Sequence, residues 1–480
     1  MKLTLDDVIK STGGTLVKRG PAASFAGVGI DTRTIKDGWV FVAVKGAHFD
    51  GHDFVGEAVK KGAPIVVVAR HQGVGGLARH SSGGGQASPA SLSENISVVQ
   101  VKDTVEALGS IASWWRGRFS VPCVAITGSN GKSTTKEMAS AIASVNGPVL
   151  KTEGNFNNLI GLPLTVFRWE GDHKTAVLEM GMNAKGEIRR LAEVARPDIG
   201  LITNVTAAHL EKLESVEGVA HAKGELFEVM AGKGIAIIND EDIWVKRLGK
   251  KYGGRAITFG MQNTSDVQFR HMESTNLTST DLTLSVMGKE KTVKLPLPGT
   301  HNVMNAMAAI AIGVALNIDL EAILSRVVKF HPMAMRFERV QLSNGVCMVN
   351  DSYNANPQSM KAAFRTVGSA KRAGRFIAVL GDMLELGEQS ASLHHEVGRA
   401  AAESGIEELF VFGNFASEIA EGAREGGMGD SHINEYDDME ALQRTVEEEI
   451  KAGDVLLVKG SRGMRMERIV EYLKHNIGCG

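Results

Sequence analysis

The stretch Val124-Ala-Ile-Thr-Gly-Ser-Asn-Gly-Lys-Ser-Thr-Thr-Lys136 decides how the middle of this chain folds. A short apolar run reads as a buried strand, a glycine-bearing loop follows it, and a helix begins near Lys132. Successive backbone N–H groups of such a loop, with the positive end of the helix, attract anionic oxygens. Lys132 adds charge for terminal phosphates, and the Ser133 hydroxyl suits Mg²⁺. The residues expected around a nucleotide's phosphates are therefore Thr127, Gly128, Ser129, Asn130, Gly131, Lys132, Ser133 and Thr134. A standard Walker A loop carries a glycine five positions before the one preceding lysine. Here that position is Ile126, so the loop is the shorter G-x-x-G-K-S form. A plain strand-to-helix turn also uses glycine, but it leaves the lysine unexplained.

Composition bounds the rest. At 480 residues the chain exceeds one ordinary core, and roughly three domains of about 100 to 200 residues are expected. Lys and Arg number 53 against 55 Asp and Glu, a formal charge of −2, with no basic tail. Nucleic acid is not an expected partner. Cys123, Cys347 and Cys479 lack C-x-x-C spacing, which argues against a disulfide framework and a structural zinc site. The N-terminal turn is acidic and the longest apolar stretch, around Ala306 to Leu316, is short for a span, so no signal peptide or membrane helix is implied. A cytoplasmic monomer, not membrane-embedded, is expected.

The first hundred residues alternate β-like runs, Gly38–Val44 and Pro64–Ala69, with a helical stretch near Phe54–Lys61, a small α/β module. From about 72 to 93 the chain is Gly-, Ser- and Ala-rich without periodicity and reads as a flexible surface insertion. After Thr104 come a helix with Trp114 and Trp115, the loop strand, and a helix expected to place Met138, Ile142 and Val145 on one face. Strand-like runs at Thr175–Met180, Ile199–Thr203, Gly234–Asn239 and Ala256–Phe259, most separated by helix-length segments, predict a parallel sheet covered on both faces. Alternation from Val267 to Leu297 predicts an antiparallel addition, and a helix is expected near His301, capped by Thr300. Runs at Arg375–Leu380, Glu408–Phe412 and Asp454–Lys459 predict a Rossmann-like C-terminal domain. The expected class is α/β in three domains: residues 1–103, 104–332 and 333–480.

Outside the loop, Glu179 ends an apolar strand, where a carboxylate emerges at the edge that holds ligands in open α/β sheets. Such a group is a natural Mg²⁺ ligand. His209 follows the next strand and could reach the same edge. Lys223 lies on a predicted helix, and composition alone favours a solvated lysine. Asn302 and Asn305 share a helix face, suited either to a base edge or to helix capping. Asp351 ends a strand before a polar turn.

Taken in order, TGSNGKSTT, LEMG, NVTAAHLE, AHAKGELF, GTHNVMNAMAA, MRFERV and DSYNANP resemble the blocks of the Mur ligase family over nearly the whole chain. KTEGNFNNLIGLPLT from Lys151, GDMLELG from Gly381 and KGSRGMRME from Lys459 are similar to those members that join D-alanyl-D-alanine to UDP-N-acetylmuramoyl-tripeptide. The resemblance implies a small N-terminal UDP-binding domain, a central ATP-binding domain and a Rossmann-like third domain. It implies ATP and two Mg²⁺, with Lys132 on the β/γ-phosphates, Ser133 and Glu179 on one Mg²⁺, and His209 on the second. Lys223 matches a lysine that the family carries as a carbamate, able to bind metal, which reverses the composition reading. Asn302 would face adenine, Arg336 the phosphates, and Asp351 the ribose or nucleotide from the C-terminal domain. Thr32, Arg33 and Gly46 match stretches framing the UDP pocket. Asn155, Asn157 and Asn158 would lie toward the muramoyl-tripeptide, and Asn354, Asn356 and the GDMLELG loop toward D-alanyl-D-alanine.

The implied chemistry is ATP-dependent peptide-bond formation through an acyl phosphate, releasing ADP and phosphate. A related ligase acting on folate or another amino acid would share the central domain, but the UDP-like N-terminal module disfavours folate. A P-loop switch is the other alternative. It would leave Glu179, His209 and Asp351 without a task, and no Asn-Lys-x-Asp segment is present to read guanine.

Overall fold

A computed structural model describes residues 2–46, 48–70, 95–208, 210–273 and 276–480. The insertion expected at 72–93 lies outside the described residues. Two compact units emerge, one of Met1–Ala125, Gly147–Met182 and Glu187–Asp198, the other of Ile126–Asn146, Asn183–Gly186 and Ile199–Gly480.

The first unit is built on a five-stranded sheet in the order Thr15–Lys18, Ser97–Val101, Ile65–Ala69, Trp39–Val42, Gly27–Gly29. Only the Thr15–Lys18 edge runs antiparallel. Successive side chains of a strand point to opposite faces. Accordingly Val40, Val42, Ile65 and Val67 pack with Leu108 and Ile111 of the helix Thr104–Arg116. Phe41, Val66 and Val68 pack on the other face with Val55 and Ala58 of the helix Val55–Lys60. The Thr104 helix starts where the Asp103 carboxylate accepts the N–H groups of Val105 and Glu106. That helix, expected with the central domain, thus contributes its apolar face to the N-terminal core.

In the second unit the strands Ile199–Ile202, Ile235–Asn239, Arg255–Gly260 and Val267–Glu273 pair in parallel, one after the next. Thr280–Val286 and Lys289–Leu295 then extend the sheet antiparallel, as the alternation predicts. A separate six-stranded sheet follows, in the order Glu338–Gln341, Cys347–Asp351, Val455–Lys459, Phe376–Gly381, Glu408–Phe412, Ile433–Tyr436. All but its first pair are parallel. The last of these strands along the chain, Val455–Lys459, slots between the second and third. Lys459 is therefore in register with Asp351 on one side and Leu380 on the other, and three polar loops leave one sheet edge together.

Two details differ from expectation. The loop helix is Lys132–Ala143 and buries Met138 and Ile142, but Val145 falls in a following 3₁₀ turn and is exposed. The later helix, Thr300–Ala315, is preceded by Gly299 at φ 89 rather than capped by Thr300. No side-chain cap forms there, and the left-handed glycine sets the entry angle instead.

The helices Ser390–Glu403 and Ala416–Glu425 touch through backbone at two glycines. A Cβ on Gly398 would lie 1.9 Å from the Ile419 carbonyl oxygen, and one on Gly422 1.9 Å from that of His395. Neither obstacle is a movable side chain, so Gly398→Ala must push the helices apart. A cost of about 1 to 3 kcal/mol is expected, read as a lower thermal midpoint. Gly56→Ala, in a helix with open space at its Cβ, should be neutral or stabilising by up to about 1 kcal/mol.

Candidate active site

The phosphate loop has the backbone its shortness demands. Gly128 sits at φ 147 and Gly131 at φ 80, and a Cβ at either would meet Thr203 Oγ1 at 1.8 Å or Asn305 Oδ1 at 2.1 Å. Lys132 folds back so that its ammonium donates to the carbonyls of Gly128, at 2.8 Å, and Ser129, at 3.3 Å. The loop is tied to the turn after strand Ile199–Ile202. Ser129 N–H donates to the Asn204 carbonyl, Asn130 N–H donates to Asn204 Oδ1 at 2.9 Å, and the Asn130 carbonyl accepts from Thr203 Oγ1 at 2.6 Å. Thr127 is fully buried, and among the described residues its hydroxyl makes no hydrogen bond. Thr134 lies in the first turn of the loop helix, whose Ser133 is buried.

Arg336 reaches this loop. Its Nη2 donates to Ser133 Oγ at 2.8 Å, and its guanidinium lies 4.0 Å from the centre of the Tyr353 ring. The flanking residues Met335 and Phe337 are both left-handed, at φ 58 and φ 54, a conformation costly for such side chains. Asp351 Oδ1 holds the Phe337 N–H at 3.0 Å, and its Oδ2 pairs with Lys459 Nζ at 2.5 Å. Lys459 is buried and also donates to the Asn354 carbonyl at 2.9 Å. Asp351, expected toward ribose, is thus also the anchor that shapes the Arg336 linker.

Lys223, on the helix Val216–Met230, is 1% exposed. Burial, then the nearby charge of Lys132, pushes its ammonium well below the usual lysine range. The solvated reading is therefore wrong. Asn302 and Asn305 are also buried: Asn302 Nδ2 donates to the Pro298 carbonyl at 2.9 Å, and Asn305 Oδ1 accepts from Thr135 Oγ1 at 3.4 Å. Their amides brace the helix start against the loop. His209 lies outside the described residues.

Glu179, in the first unit, ends the strand Thr175–Glu179 and is 2% exposed. Its carboxylate accepts from Asn157 Nδ2 at 2.9 Å, and its N–H donates to Thr152 Oγ1. Of the three asparagines expected toward substrate, Asn157 therefore orients Glu179. Asn158 Oδ1 accepts the N–H groups of Ile160 and Gly161, starting a helix, while Asn155 stays exposed. The stretches holding Thr32, Arg33 and Gly46 follow the adjacent parallel strands Gly27–Gly29 and Trp39–Val42. Arg33 is exposed and paired to Asp31 at 2.6 Å, the Thr32 carbonyl accepts from Lys61 Nζ, and Gly46 N–H closes a turn on the Phe49 carbonyl.

Comparison with known proteins follows this geometry along the chain. Family models match over residues 24–116 (Mur ligase family, catalytic domain), 126–313 (Mur ligase middle domain) and 335–462 (Mur ligase, glutamate ligase domain). The chain belongs to the Mur ligase family. It is 36% identical to the UDP-N-acetylmuramoyl-tripeptide–D-alanyl-D-alanine ligase of Bacillus subtilis, over 98% of both proteins. To the Escherichia coli ligase of the same name it is 34% identical, over the whole of both. Among solved structures it is similar to MurF from Acinetobacter baumannii, with a TM-score of 0.87 and 28% identity over 99% of each chain. It is also similar to the Thermotoga maritima MurF ligase in complex with ADP, with a TM-score of 0.81 and 28% identity over 94% of this chain and 97% of that one.

Sequence reasoning passed over several residues of this Mur ligase. Lys459 heads the KGSRGMRME stretch, yet its pairing with Asp351 depends on the strand order. Asn204 sat inside NVTAAHLE, but its hold on the loop depends on a turn. His394 gave no signal. Its Nε2 accepts the Met383 N–H at 2.8 Å while Nδ1 donates to the Ser390 carbonyl at 2.6 Å, so a single neutral tautomer pins the GDMLELG loop.

Burial lowers the pKa of His394, opposed by Asp382 and Glu418. His301 is pushed down to about 4, mainly by burial, against the pull of Asp351. Both folded pKa values lie below the ordinary 6.5 of the unfolded chain. Their contribution is therefore complete above about pH 6.5 and lost as pH falls, because the unfolded chain takes up protons first. Stability should fall between pH 7.5 and 5 by about 2 kcal/mol from His301, with a further loss from His394, read as a lower thermal midpoint. The double variant His301→Gln, His394→Gln should show a flatter profile, and parallel profiles would contradict this account.

Proposed function

We propose that this Mur ligase adds D-alanyl-D-alanine to UDP-N-acetylmuramoyl-tripeptide, using ATP and giving the pentapeptide precursor of peptidoglycan, ADP and phosphate. The observation that carries the reading is likeness to ligases of that name along the full chain, joined to a phosphate loop whose lysine and serine are held in place. We place the work in the cytoplasm, with a third domain beginning near residue 333; the helix Thr104–Arg116, expected with the nucleotide domain, packs with the N-terminal core instead.

A peptide carboxylate is a poor electrophile, so phosphoryl transfer to it creates a leaving group; amine attack then passes through a tetrahedral oxyanion before phosphate departs. Lys132 and the loop amides hold the phosphates, Arg336 supplies a second positive group beside Ser133, and Asp351 and Asn302 flank the nucleoside. Thr32, Arg33 and Gly46 are assigned to the UDP end. Asn354, exposed at the sheet edge, and the GDMLELG loop are assigned to the dipeptide.

Ser133 and Glu179 are each an oxygen donor of the kind Mg²⁺ prefers, and we assign both residues, with His209, to metal binding, where Mg²⁺ would neutralise charge gathering on the transferred phosphoryl. Lys223 as an ammonium does not fit such a site. A buried neutral amine can instead add CO₂, giving a carbamate whose oxygens do fit.

ADP release should require both the tripeptide and D-alanyl-D-alanine. Robust release with single D-amino acids and none with the dipeptide would refute the assignment, and tripeptides ending in lysine and in diaminopimelate form parallel arms. For Lys223, ¹³C-bicarbonate should produce a carbamate resonance absent from Lys223→Ala. That variant should lose at least about 100-fold in kcat, whereas full turnover at saturating Mg²⁺ would rule the modification out.

A further inference from the structure

The tip of the phosphate loop is held from 226 residues downstream: Asn356 Nδ2 donates to Asn130 Oδ1 at 2.7 Å. The orientation of the Asn356 amide is decided by its own helix. Asn356 begins the helix Pro357–Gly368, where its Oδ1 accepts the Ser359 N–H at 2.9 Å and its own N–H donates to Ser359 Oγ at 3.0 Å, a reciprocal cap with proline next in line. The oxygen faces the helix, so the nitrogen must face outward. With Asn356 donating, the Asn130 oxygen is the acceptor, and its Nδ2 donates to the Thr206 hydroxyl at 3.3 Å. The Asn130 main chain is already held by Thr203 and Asn204. Asn356 was expected toward the dipeptide; both atoms of its amide are instead engaged, one in the helix and one on the loop.

The residue type is informative. Serine, threonine, aspartate and asparagine all serve as helix caps. A hydroxyl can accept and donate at once but only from a single atom close to the backbone, and aspartate has no donor; asparagine places the acceptor and the donor on separate atoms. That separation suits a side chain that caps its helix and grips the loop as well. The grip is also not isolated. Arg336, from the segment that leads into the same sheet, donates to Ser133 Oγ at 2.8 Å, so the loop is held at its tip and at its helix start.

We infer that Asn356 and Asn130 are a positioning pair that makes the shape of the phosphate loop depend on docking of the C-terminal sheet, the sheet that carries Lys459 and the GDMLELG loop. Phosphoryl transfer is thereby tied to the presence of the surface that bears the amine site. This rests on the loop's reading as the ATP phosphate site, and it assigns Asn356 to the nucleotide half of the reaction.

The test compares Asn356→Ser and Asn356→Asp, which both keep a helix cap and both lose the outward amide donor. Hydrogen exchange on the full-length protein without substrates should show amides 129–133 losing protection, about 3-fold in the serine variant and less in the aspartate variant, toward which the Asn130 amide can turn its nitrogen. The helix 357–368 should stay protected. In ATP turnover, kcat should fall by similar factors, and the double variant Asn130→Ala, Asn356→Ser should be no worse than the poorer single variant. Unchanged loop exchange, equal loss of protection in the helix, or fully multiplicative kcat effects would overturn the proposal. A failure of the dipeptide assignment would show only in the ligation assay, because the exchange measurement uses no substrate.

Discussion

A short phosphate loop encloses less of an anion with its own backbone than a longer one, so its shape must be imposed from outside. That constraint organises the second unit. Gly128 and Gly131 let Thr203 and Asn305 come closer than any Cβ would permit, and the close approach converts neighbouring side chains into the missing walls of the cradle. Asn204 takes the loop's N–H and carbonyl groups from below, while Arg336 and Asn356 arrive from distant segments. Each partner fixes one part of the loop: Asn204 its backbone, Arg336 the Ser133 hydroxyl and Asn356 the Asn130 amide.

Buried lysines show a second principle. Taking an ammonium out of water is expensive unless a partner compensates. Lys136 is paired with Glu137 and Lys459 with Asp351, and both serve the framework. For Lys223, burial and the charge of Lys132 both disfavour the ammonium, and no carboxylate among the described residues offsets them. Its surroundings work against the ammonium where those of the other two lysines support it. The contrast between Lys459 and Lys223 is one of partner supply and not of depth.

Much was legible along the chain because the relevant signals are local. The apolar run before Gly128, the Lys-Ser pair after it, the carboxylate closing TAVLE and the alternation from Val267 to Leu297 each depend on neighbours within a few residues, where periodicity and turn chemistry act. Lys223 was misread from composition because burial is a property of the packed helix and not of the residue. Asn157, Asn158 and Asn356 look alike in sequence, as polar residues near glycine or proline. They differ in what packing offers: a carboxylate for Asn157, a helix start for Asn158, and both a helix start and the phosphate loop for Asn356.

By itself the sequence determined the three α/β regions, the nucleotide cradle and the family, since motifs of fixed spacing encode local backbone geometry and local charge. Only the tertiary structure decided which distant groups meet: that Lys459 falls between Asp351 and Leu380, that Arg336 is presented by two left-handed residues, and that Asn130 is gripped by Asn356. Those meetings follow from strand order and from the polarity of buried amides. Both are settled when the chain closes on itself and every buried donor must find an acceptor.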